Sequence, residues 1–181
     1  MIRSFIKDSI IYTLPVILSR GIGIFLLPIY TRIISPDELG ALELFIAFGN
    51  IIALTVALEI TQGIARFIPE SQGKLRGSFA FTGLVFTLIT YSVSILIFFL
   101  FADVLSIFIT GSEDYFSEFK LALIYIFFNG FYYYFQNLLR FEGKSLLFSI
   151  SSVAYALSNL ILVVVFGIIL DQGLDAILNS L

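Results

Sequence analysis

The sequence predicts an all-α fold, a polytopic bundle of membrane-spanning helices, and two observations carry that prediction. Hydrophobic residues make up 59% of the chain and charged residues 13%, with a mean hydropathy of +1.04. A soluble domain carries about a quarter charged residues, so this chain has too few to cover a water-facing surface. The second observation is the grouping of the apolar residues into long runs separated by short polar segments. We therefore expect a single transmembrane domain over residues 1–181.

Five apolar runs are long enough to cross a bilayer, which takes roughly 20 helical residues. They lie at about 9–33, 40–65, 78–101, 119–139 and 146–170. Because backbone groups inside lipid must find their hydrogen bonds within the segment, each run is predicted to be a helix. Strands are disfavoured, since the runs are too long and do not alternate strictly. The first run is not a signal peptide, because it contains Arg20 and four further spans follow it.

The last residues of the sequence, Leu174–Leu181, look like the first two turns of another span. We therefore expect a sixth helix that is cut short, and we interpret the chain as the N-terminal part of a longer transporter. A short outer tail that lies on the membrane is the alternative.

Lysine and arginine are distributed unevenly between the two sides of the predicted membrane. Seven lie in the N-terminal tail and in the second and fourth connections: Arg3, Lys7, Arg66, Lys74, Arg76, Arg140 and Lys144. Two lie at span ends on the opposite side, which also carries most of the acids: Arg32 and Lys120. Because short cytoplasmic loops are enriched in basic residues, we expect the N-terminus to be cytoplasmic.

The third connection, Ala102–Lys120, is the longest. Its segment Val104–Ile109 is apolar enough to lie along the membrane interface, and the residues that follow form a polar turn. We interpret this connection as a plain loop.

Polar residues recur at helical spacing along the predicted spans, most clearly in the fourth. One face of that span carries phenols, amides and a terminal arginine: Tyr125, Asn129, Tyr132, Tyr133, Gln136 and Arg140. The fifth span carries a shorter stripe of Ser152, Tyr155 and Asn159. Such a stripe either joins helices through hydrogen bonds or lines a hydrated cavity. The broad stripe of the fourth span leads us to predict substrate-binding residues there, namely Asn129, Tyr132, Tyr133 and Gln136.

Arg20 and Glu59 are the charges that lie deepest in the predicted spans. Arg20 falls roughly 16 Å into the first run, near the membrane midplane, and Glu59 falls roughly 10 Å from the cytoplasmic end of the second. A charge at such depth costs at least ~2.5–3.5 kcal/mol, so it faces a partner or a cavity. Two interpretations stay open. The residues form a structural ion pair, or Arg20 binds an anionic ligand while Glu59 serves as its resting counter-ion or coupling group.

Composition excludes several kinds of chemistry. The chain contains no cysteine and no histidine, which excludes disulfides, thiol chemistry, histidine metal sites and histidine general bases. Basic patches suited to nucleic acid are also missing. We therefore expect no catalytic residues, no metal, no cofactor and no enzyme activity.

Short motifs in the first span and the connection after it carry a family resemblance. They are Leu14-Pro15, Leu18-Ser19-Arg20, Leu27-Pro28-Ile29-Tyr30-Thr31-Arg32 and Ser35-Pro36-Asp37-Glu38-Leu39-Gly40. In these residues the sequence resembles the N-terminal part of the polysaccharide biosynthesis (O-antigen flippase) family. That family lies within the multidrug/oligosaccharidyl-lipid/polysaccharide exporter superfamily. Weaker support comes from Ala65-Arg66-Phe67, Leu139-Arg140 and Gly143-Lys144.

The resemblance implies two helical lobes around a central cavity, with this chain forming the first lobe. Such proteins move polyprenyl-pyrophosphate-linked oligosaccharides from the cytoplasmic to the outer leaflet by alternating access. The related lipid II flippases use cavity arginines in the first lobe, and Arg20 falls at a matching place. A guanidinium stays protonated and can bind phosphate through two parallel hydrogen bonds, whereas amides and phenols suit sugar hydroxyls.

The predicted function is therefore the flipping of a polyprenyl-pyrophosphate-linked oligosaccharide across the cell (inner) membrane for surface polysaccharide biosynthesis, as for O-antigen. The expected partners are this substrate, the lipid bilayer and other membrane proteins of polysaccharide assembly, without nucleic acid. One alternative is a multidrug or metabolite exporter of the same superfamily. Efflux of cations would favour buried acids over a buried arginine, and Glu59 is the only deep carboxylate in the predicted spans, which weighs against this alternative. Another is a membrane-embedded polymerase or acyltransferase, which the short outer loops disfavour.

Overall fold

The computed structural model describes residues 26–56 and 60–165, together with residues 13, 17, 21, 177 and 178. Throughout these residues the regular structure is helical, and no strand occurs. A helical stretch at 26–33 precedes α1 (Pro36–Thr55), α2 (Ile60–Glu70), α3 (Gly73–Leu100), α4 (Ala102–Thr110), α5 (Phe116–Phe141) and α6 (Ser145–Val163). The predicted all-α fold is confirmed for this part of the chain.

Helix α1 begins after a two-residue break, and Ser35 caps its first turn. The Ser35 hydroxyl accepts a hydrogen bond from the Glu38 backbone N–H at 3.3 Å, and the Glu38 carboxylate accepts one from the Ser35 N–H at 2.7 Å. This reciprocal pair satisfies two donors at the helix start, and Pro36 in the first position has no N–H to satisfy. The polar Ser35–Glu38 motif therefore starts a helix rather than only connecting two spans.

The run at 40–65 corresponds to two described helices, α1 and α2, and residues 57–59 between them lie outside the described residues. Helix α2 has two distinct sides. Ile64 and Ile68 pack with Tyr134 in a small core, whereas Arg66 and Phe67 are exposed. This division anchors α2 against α3 and α5, which are its contacts among the described helices.

Helix α5 is the centre of the bundle and packs against each of the other five helices. Its residues Phe119, Leu123 and Ile126 are buried in the main core, together with Phe45 of α1. The rings of Phe45 and Phe119 lie 5.4 Å apart between centroids, within the range that aromatic pairs favour. The helix that carries the predicted polar stripe is thus held on several sides.

The close approach of α3 and α5 depends on Gly130. A Cβ at this position would lie within 2.8 Å of three ring carbons of Tyr91, which is itself buried. The same two helices are joined by the Tyr134 hydroxyl, which donates a hydrogen bond to the Ala80 carbonyl. A small residue at an interface lets two membrane helices approach closely, so Gly130 sets the spacing here.

Residues 102–110 form α4 instead of the plain loop expected from the sequence. Ala102 and Ser106 are buried, and α4 contacts α1, α3 and α5. The helix ends at Gly111, which has a φ of 74° and donates its N–H to the Ile107 carbonyl at 2.8 Å. A left-handed glycine after the last turn is a common helix terminator, and it explains why α4 stops before the polar turn.

Three of the described helices, α1, α3 and α6, are long and apolar enough to cross a membrane. Helix α5 has 26 residues but carries the phenols and amides of the polar stripe, which lower its hydropathy. Large apolar side chains on outward faces stay exposed, among them Phe81, Leu96 and Leu100. Such surfaces suit lipid rather than water, so the fold is that of a helical membrane protein.

One end of the bundle carries an ion-pair network. Glu142, between α5 and α6, lies 2.6 Å from the Lys144 Nζ and 3.5 Å from the Arg76 Nε at the start of α3. Two connections that the charge pattern assigns to the same side of the membrane are thereby joined.

The opposite end gathers the starts of α1 and α5 and the end of α4. Burial, and after it the carboxylates of Asp37, Glu38 and Asp114, raise the pKa of the Tyr115 phenol.

A cavity of about 400 Å³ at this end is lined by Pro36, Asp37, Gly40, Ala41, Leu44, Thr110, Ser112, Asp114 and Tyr115. Which end faces the cytoplasm stays a prediction.

Candidate functional site

The predicted site residues fall into two groups. Arg20 and Glu59 lie outside the described residues, so the ion pair between them stays a prediction. The four residues of the fourth predicted span, Asn129, Tyr132, Tyr133 and Gln136, all lie on α5.

Gln136 is buried between α5 and α6, and its side-chain amide is engaged on both sides. Its Nε2 donates to the Tyr132 hydroxyl at 2.8 Å and to the Ser151 hydroxyl at 3.0 Å. Its Oε1 lies 3.5 Å from the Ser152 hydroxyl, which donates to the nearer Phe148 carbonyl at 2.8 Å. Because the two hydrogen bonds of its Nε2 reach both helices, Gln136 joins α5 to α6 and orients Tyr132.

The ring of Tyr132 also lies against α6. Its centroid is 4.4 Å from that of Tyr155, and the two planes differ by 21°, which is a stacked arrangement. Side-chain hydrogen bonds link the Tyr155 hydroxyl to Tyr125 and Asn129. The Asn129 Nδ2 in turn donates to the Tyr125 hydroxyl at 3.1 Å. Phenols and one amide therefore form a connected group across α5 and α6.

These side chains line a cavity of about 300 Å³, which we call the tyrosine cavity. Its described lining consists of Leu121, Ile124, Tyr125, Phe128, Asn129, Tyr132, Tyr155 and Leu178. The volume lies at the lower end of the range for small-molecule pockets, about 300–1,000 Å³. The lining combines aromatic and aliphatic walls with hydroxyl and amide groups, and no charged side chain belongs to it among the described residues.

Tyr133 lies apart from this group. It is half exposed and lines a second cavity, of about 330 Å³, between α1, α2, α3 and α5. The other described lining residues of this α3–α5 cavity are Asn50, Ala53, Leu54, Ile60, Thr87, Tyr91, Gly130, Tyr134 and Asn137. The structure therefore brings Asn129 and Tyr132 together, places Gln136 behind them, and directs Tyr133 to another face of α5.

One buried polar group that lines the α3–α5 cavity has no hydrogen-bond partner in the described part of the chain. The Thr87 hydroxyl is buried and makes no hydrogen bond there. Asn137 makes a local hydrogen bond, from its Nδ2 to the Tyr133 carbonyl at 2.9 Å. This cavity thus offers neutral polar groups as well, although its walls are largely apolar.

Sequence reasoning assigned Tyr125 and Tyr155 to polar stripes and did not include them among the site residues. The signal was present for Tyr125, because it lies four residues before Asn129 and therefore on the same helical face. Tyr155 lies on another helix, and no local pattern shows that it stacks on Tyr132. The described residues contain no group of three or more histidine, cysteine, aspartate or glutamate side chains that could hold a metal ion.

The fold defines the chain as a helical membrane protein, and two of its cavities, the tyrosine cavity and the α3–α5 cavity, are lined by neutral polar groups as well as apolar ones. The sequence matches the polysaccharide biosynthesis protein family over residues 5–179, which includes every described helix. The chain therefore belongs to the polysaccharide biosynthesis protein family, as the motifs of its first span predict. No curated protein and no solved structure is a match to it.

Proposed function

We propose that this chain takes part in flipping a polyprenyl-pyrophosphate-linked oligosaccharide across the inner membrane for surface polysaccharide biosynthesis. The observation that carries the proposal is the tyrosine cavity, in which three phenols and one amide lie between α5 and α6. These groups suit a hydroxyl-rich ligand, since tyrosine donates and accepts hydrogen bonds and asparagine does both through separate atoms. Membership of the polysaccharide biosynthesis protein family supports the same cargo.

In this proposal the tyrosine cavity receives the sugars, and Asn129 and Tyr132 make contact with their hydroxyls. Tyr155 and Tyr125 complete the wall, and Gln136 holds Tyr132 in place from behind. Tyr133, in the α3–α5 cavity, contributes a second and separate contact.

Arg20 is proposed to bind the pyrophosphate, with Glu59 as its counter-ion in the empty state. Replacing Arg20 with alanine should then abolish surface polysaccharide while leaving the protein level unchanged. Normal polysaccharide in that strain would show that Arg20 has no role in transport and would leave a structural ion pair with Glu59 as its explanation.

The topology that we propose has five membrane-spanning helices and a cytoplasmic N-terminus, with Arg76 and Lys144 on the cytoplasmic side. Helices α1, α3 and α6 support three of these spans by length and composition. The first span is proposed from the apolar run at 9–33. The fourth is proposed from α5, whose polar face would then be turned towards the interior of the bundle. No chemical step is required of the chain, and the proposed partners are the lipid-linked substrate, the bilayer and other membrane proteins of polysaccharide assembly.

The proposal is tested by altering the tyrosine cavity in the native host. Asn129→Leu and Tyr155→Phe remove one amide and one hydroxyl, and each should lower surface polysaccharide several-fold at unchanged protein abundance. Phe135→Leu serves as the matched control, because Phe135 lies on the same helix and is exposed outside the cavity. Wild-type polysaccharide in both cavity variants would overturn the proposal.

A drug-susceptibility screen of the deletion strain separates this function from export of drugs or metabolites. Loss of surface polysaccharide without a change in susceptibility is the expected result. Raised susceptibility with normal polysaccharide would instead favour the exporter.

A further inference from the structure

Helix α4 presents an apolar face that no other described helix covers. Val104, Ile107 and Phe108 lie on this face, and Phe108 is 84% exposed. Burying apolar surface contributes roughly 25 cal/mol per Å², so a phenylalanine held in water forgoes a large part of that stabilisation. The helix that carries this face has a fixed place in the bundle. Gly111 ends it, and Ala102 and Ser106 are buried on the side opposite Val104 and Phe108.

The polar residues of α4 have a definite place relative to that face. At about 100° per residue, Asp103 and Thr110 lie together at one edge of the helix, and Val104 and Phe108 lie on the far side. The Thr110 hydroxyl donates to the Ser106 carbonyl at 2.8 Å and accepts a hydrogen bond from the Ser112 backbone N–H at 3.2 Å, so it joins α4 to the polar turn. The helix therefore has a packing face, a polar edge and an apolar face, which is the arrangement of a helix that lies in a membrane interface.

The position of α4 in the bundle also fits a membrane interface. It follows α3 after a single residue, Phe101, at the end of the longest apolar helix. Leu96 and Leu100 on the last turns of α3 are exposed, as is Phe101, so the outward apolar surface continues from α3 towards α4. On its other side α4 reaches the start of α1, where Thr110 and Asp37 line the same cavity.

We propose that α4 is an interfacial helix, seated at the boundary between headgroups and acyl chains, with Val104 and Phe108 inserted into the leaflet at its own end of the bundle. The partner is thus a lipid surface. Continuity with the exposed apolar surface of α3 argues for lipid over a protein partner. The inference does not depend on the transported cargo or on which end of the bundle is cytoplasmic.

The absence of cysteine from the chain provides a direct test. Single-cysteine variants Val104→Cys and Phe108→Cys are spin-labelled in the whole protein, reconstituted in vesicles of phosphatidylethanolamine and phosphatidylglycerol. Collision of the label with oxygen, which concentrates in lipid, is then compared with collision with a water-soluble nickel chelate. Two control positions give the accessibilities expected in water and in lipid. Glu113→Cys reports the polar turn, and Leu88→Cys reports an exposed apolar position in the middle of α3.

We expect both α4 labels to favour oxygen over nickel, and to lie at a shallower depth than the label at position 88. Nickel accessibility equal to that of the label at position 113 would overturn the proposal, because the face would then be in water. Low accessibility to both reagents at positions 104 and 108 would also overturn it, because the face would then be covered by protein. Two positions are used so that a local disturbance at one of them does not decide the result.

Discussion

Tyr132 of α5 and Tyr155 of α6 stack face to face, with their ring centroids 4.4 Å apart. Both rings line the tyrosine cavity, and the hydrogen bond from Gln136 to Ser151 joins the same two helices nearby. Binding groups act best when packing and hydrogen bonds fix their positions in advance. The stack therefore matters to the cavity in two ways, since it holds the helices together and keeps two hydroxyl groups in place.

Two substitutions of Tyr155 separate these contributions. Tyr155→Leu removes the stacked ring, whereas Tyr155→Phe keeps a ring and removes the hydroxyl. Stacked aromatic pairs contribute about 0.5–1.5 kcal/mol beyond their buried area, so we expect Tyr155→Leu to melt at a lower temperature than Tyr155→Phe. Thermal unfolding in detergent measures this difference, and equal melting temperatures would contradict a stabilising role for the stack.

Gly130→Ala should destabilise the protein through the contact between α3 and α5. The new methyl group would overlap the buried ring of Tyr91, and overpacking of this kind costs about 1–3 kcal/mol. Gly77→Ala is the control, because a Cβ at position 77 meets nothing within 4 Å and alanine favours a helix. The same melting experiment should show a loss for the first variant and no loss for the second. A Gly130→Ala protein as stable as wild type would mean that Tyr91 can move aside.

Gln136→Leu should weaken the junction of α5 and α6. The change removes the two hydrogen bonds that the amide donates to the Tyr132 and Ser151 hydroxyls, and a typical intramolecular hydrogen bond contributes about 0.5–1.5 kcal/mol. Asn137→Leu is a matched control, since its amide bonds to a carbonyl of its own helix. Stability measured by thermal unfolding should fall further for Gln136→Leu. The reverse order would contradict the structural role assigned to Gln136.

Glu142→Gln should loosen the end of the bundle where Arg76 and Lys144 meet. Ion pairs near a surface contribute about 0–1 kcal/mol and are screened by salt, so the effect should be modest and salt-dependent. Limited proteolysis at low and high salt checks this, with Glu113→Gln at the other end as the control. We expect faster cleavage of the Glu142 variant at low salt and a smaller difference at high salt. A difference that does not change with salt would show that the ion pairs are not its cause.

The helices of this protein were predictable because hydropathy and helical spacing are local properties. Tyr125, Asn129 and Tyr132 recur at intervals of four and three residues, so their common face follows from α-helical geometry. The start of α1 was not predicted, because hydropathy begins the second span at about residue 40, whereas the helix begins at Pro36 with Ser35 as its cap.

Other features depend on how helices cross, and no local pattern contains that information. Tyr133 follows Tyr132 and lies about 100° further around α5, at the edge of the stripe. The packing of α1 and α3 beside α5 places its ring in a separate cavity. The stack of Tyr132 on Tyr155 and the fit of Gly130 against Tyr91 likewise arise from packing between helices. Helix α4 was missed because nine residues are too few for a clear periodic pattern.

The central claim is that the tyrosine cavity recognises the sugars of a lipid-linked oligosaccharide, and a binding measurement on the purified protein tests it most directly. The ligands are a polyprenyl pyrophosphate with its oligosaccharide and the same lipid without sugars. We predict that a variant carrying both Asn129→Leu and Tyr155→Phe binds the sugar-bearing lipid about tenfold more weakly, a loss of about 1.4 kcal/mol, and binds the sugar-free lipid as wild type does. Unchanged affinity for the sugar-bearing lipid, or an equal loss for both ligands, would contradict the claim.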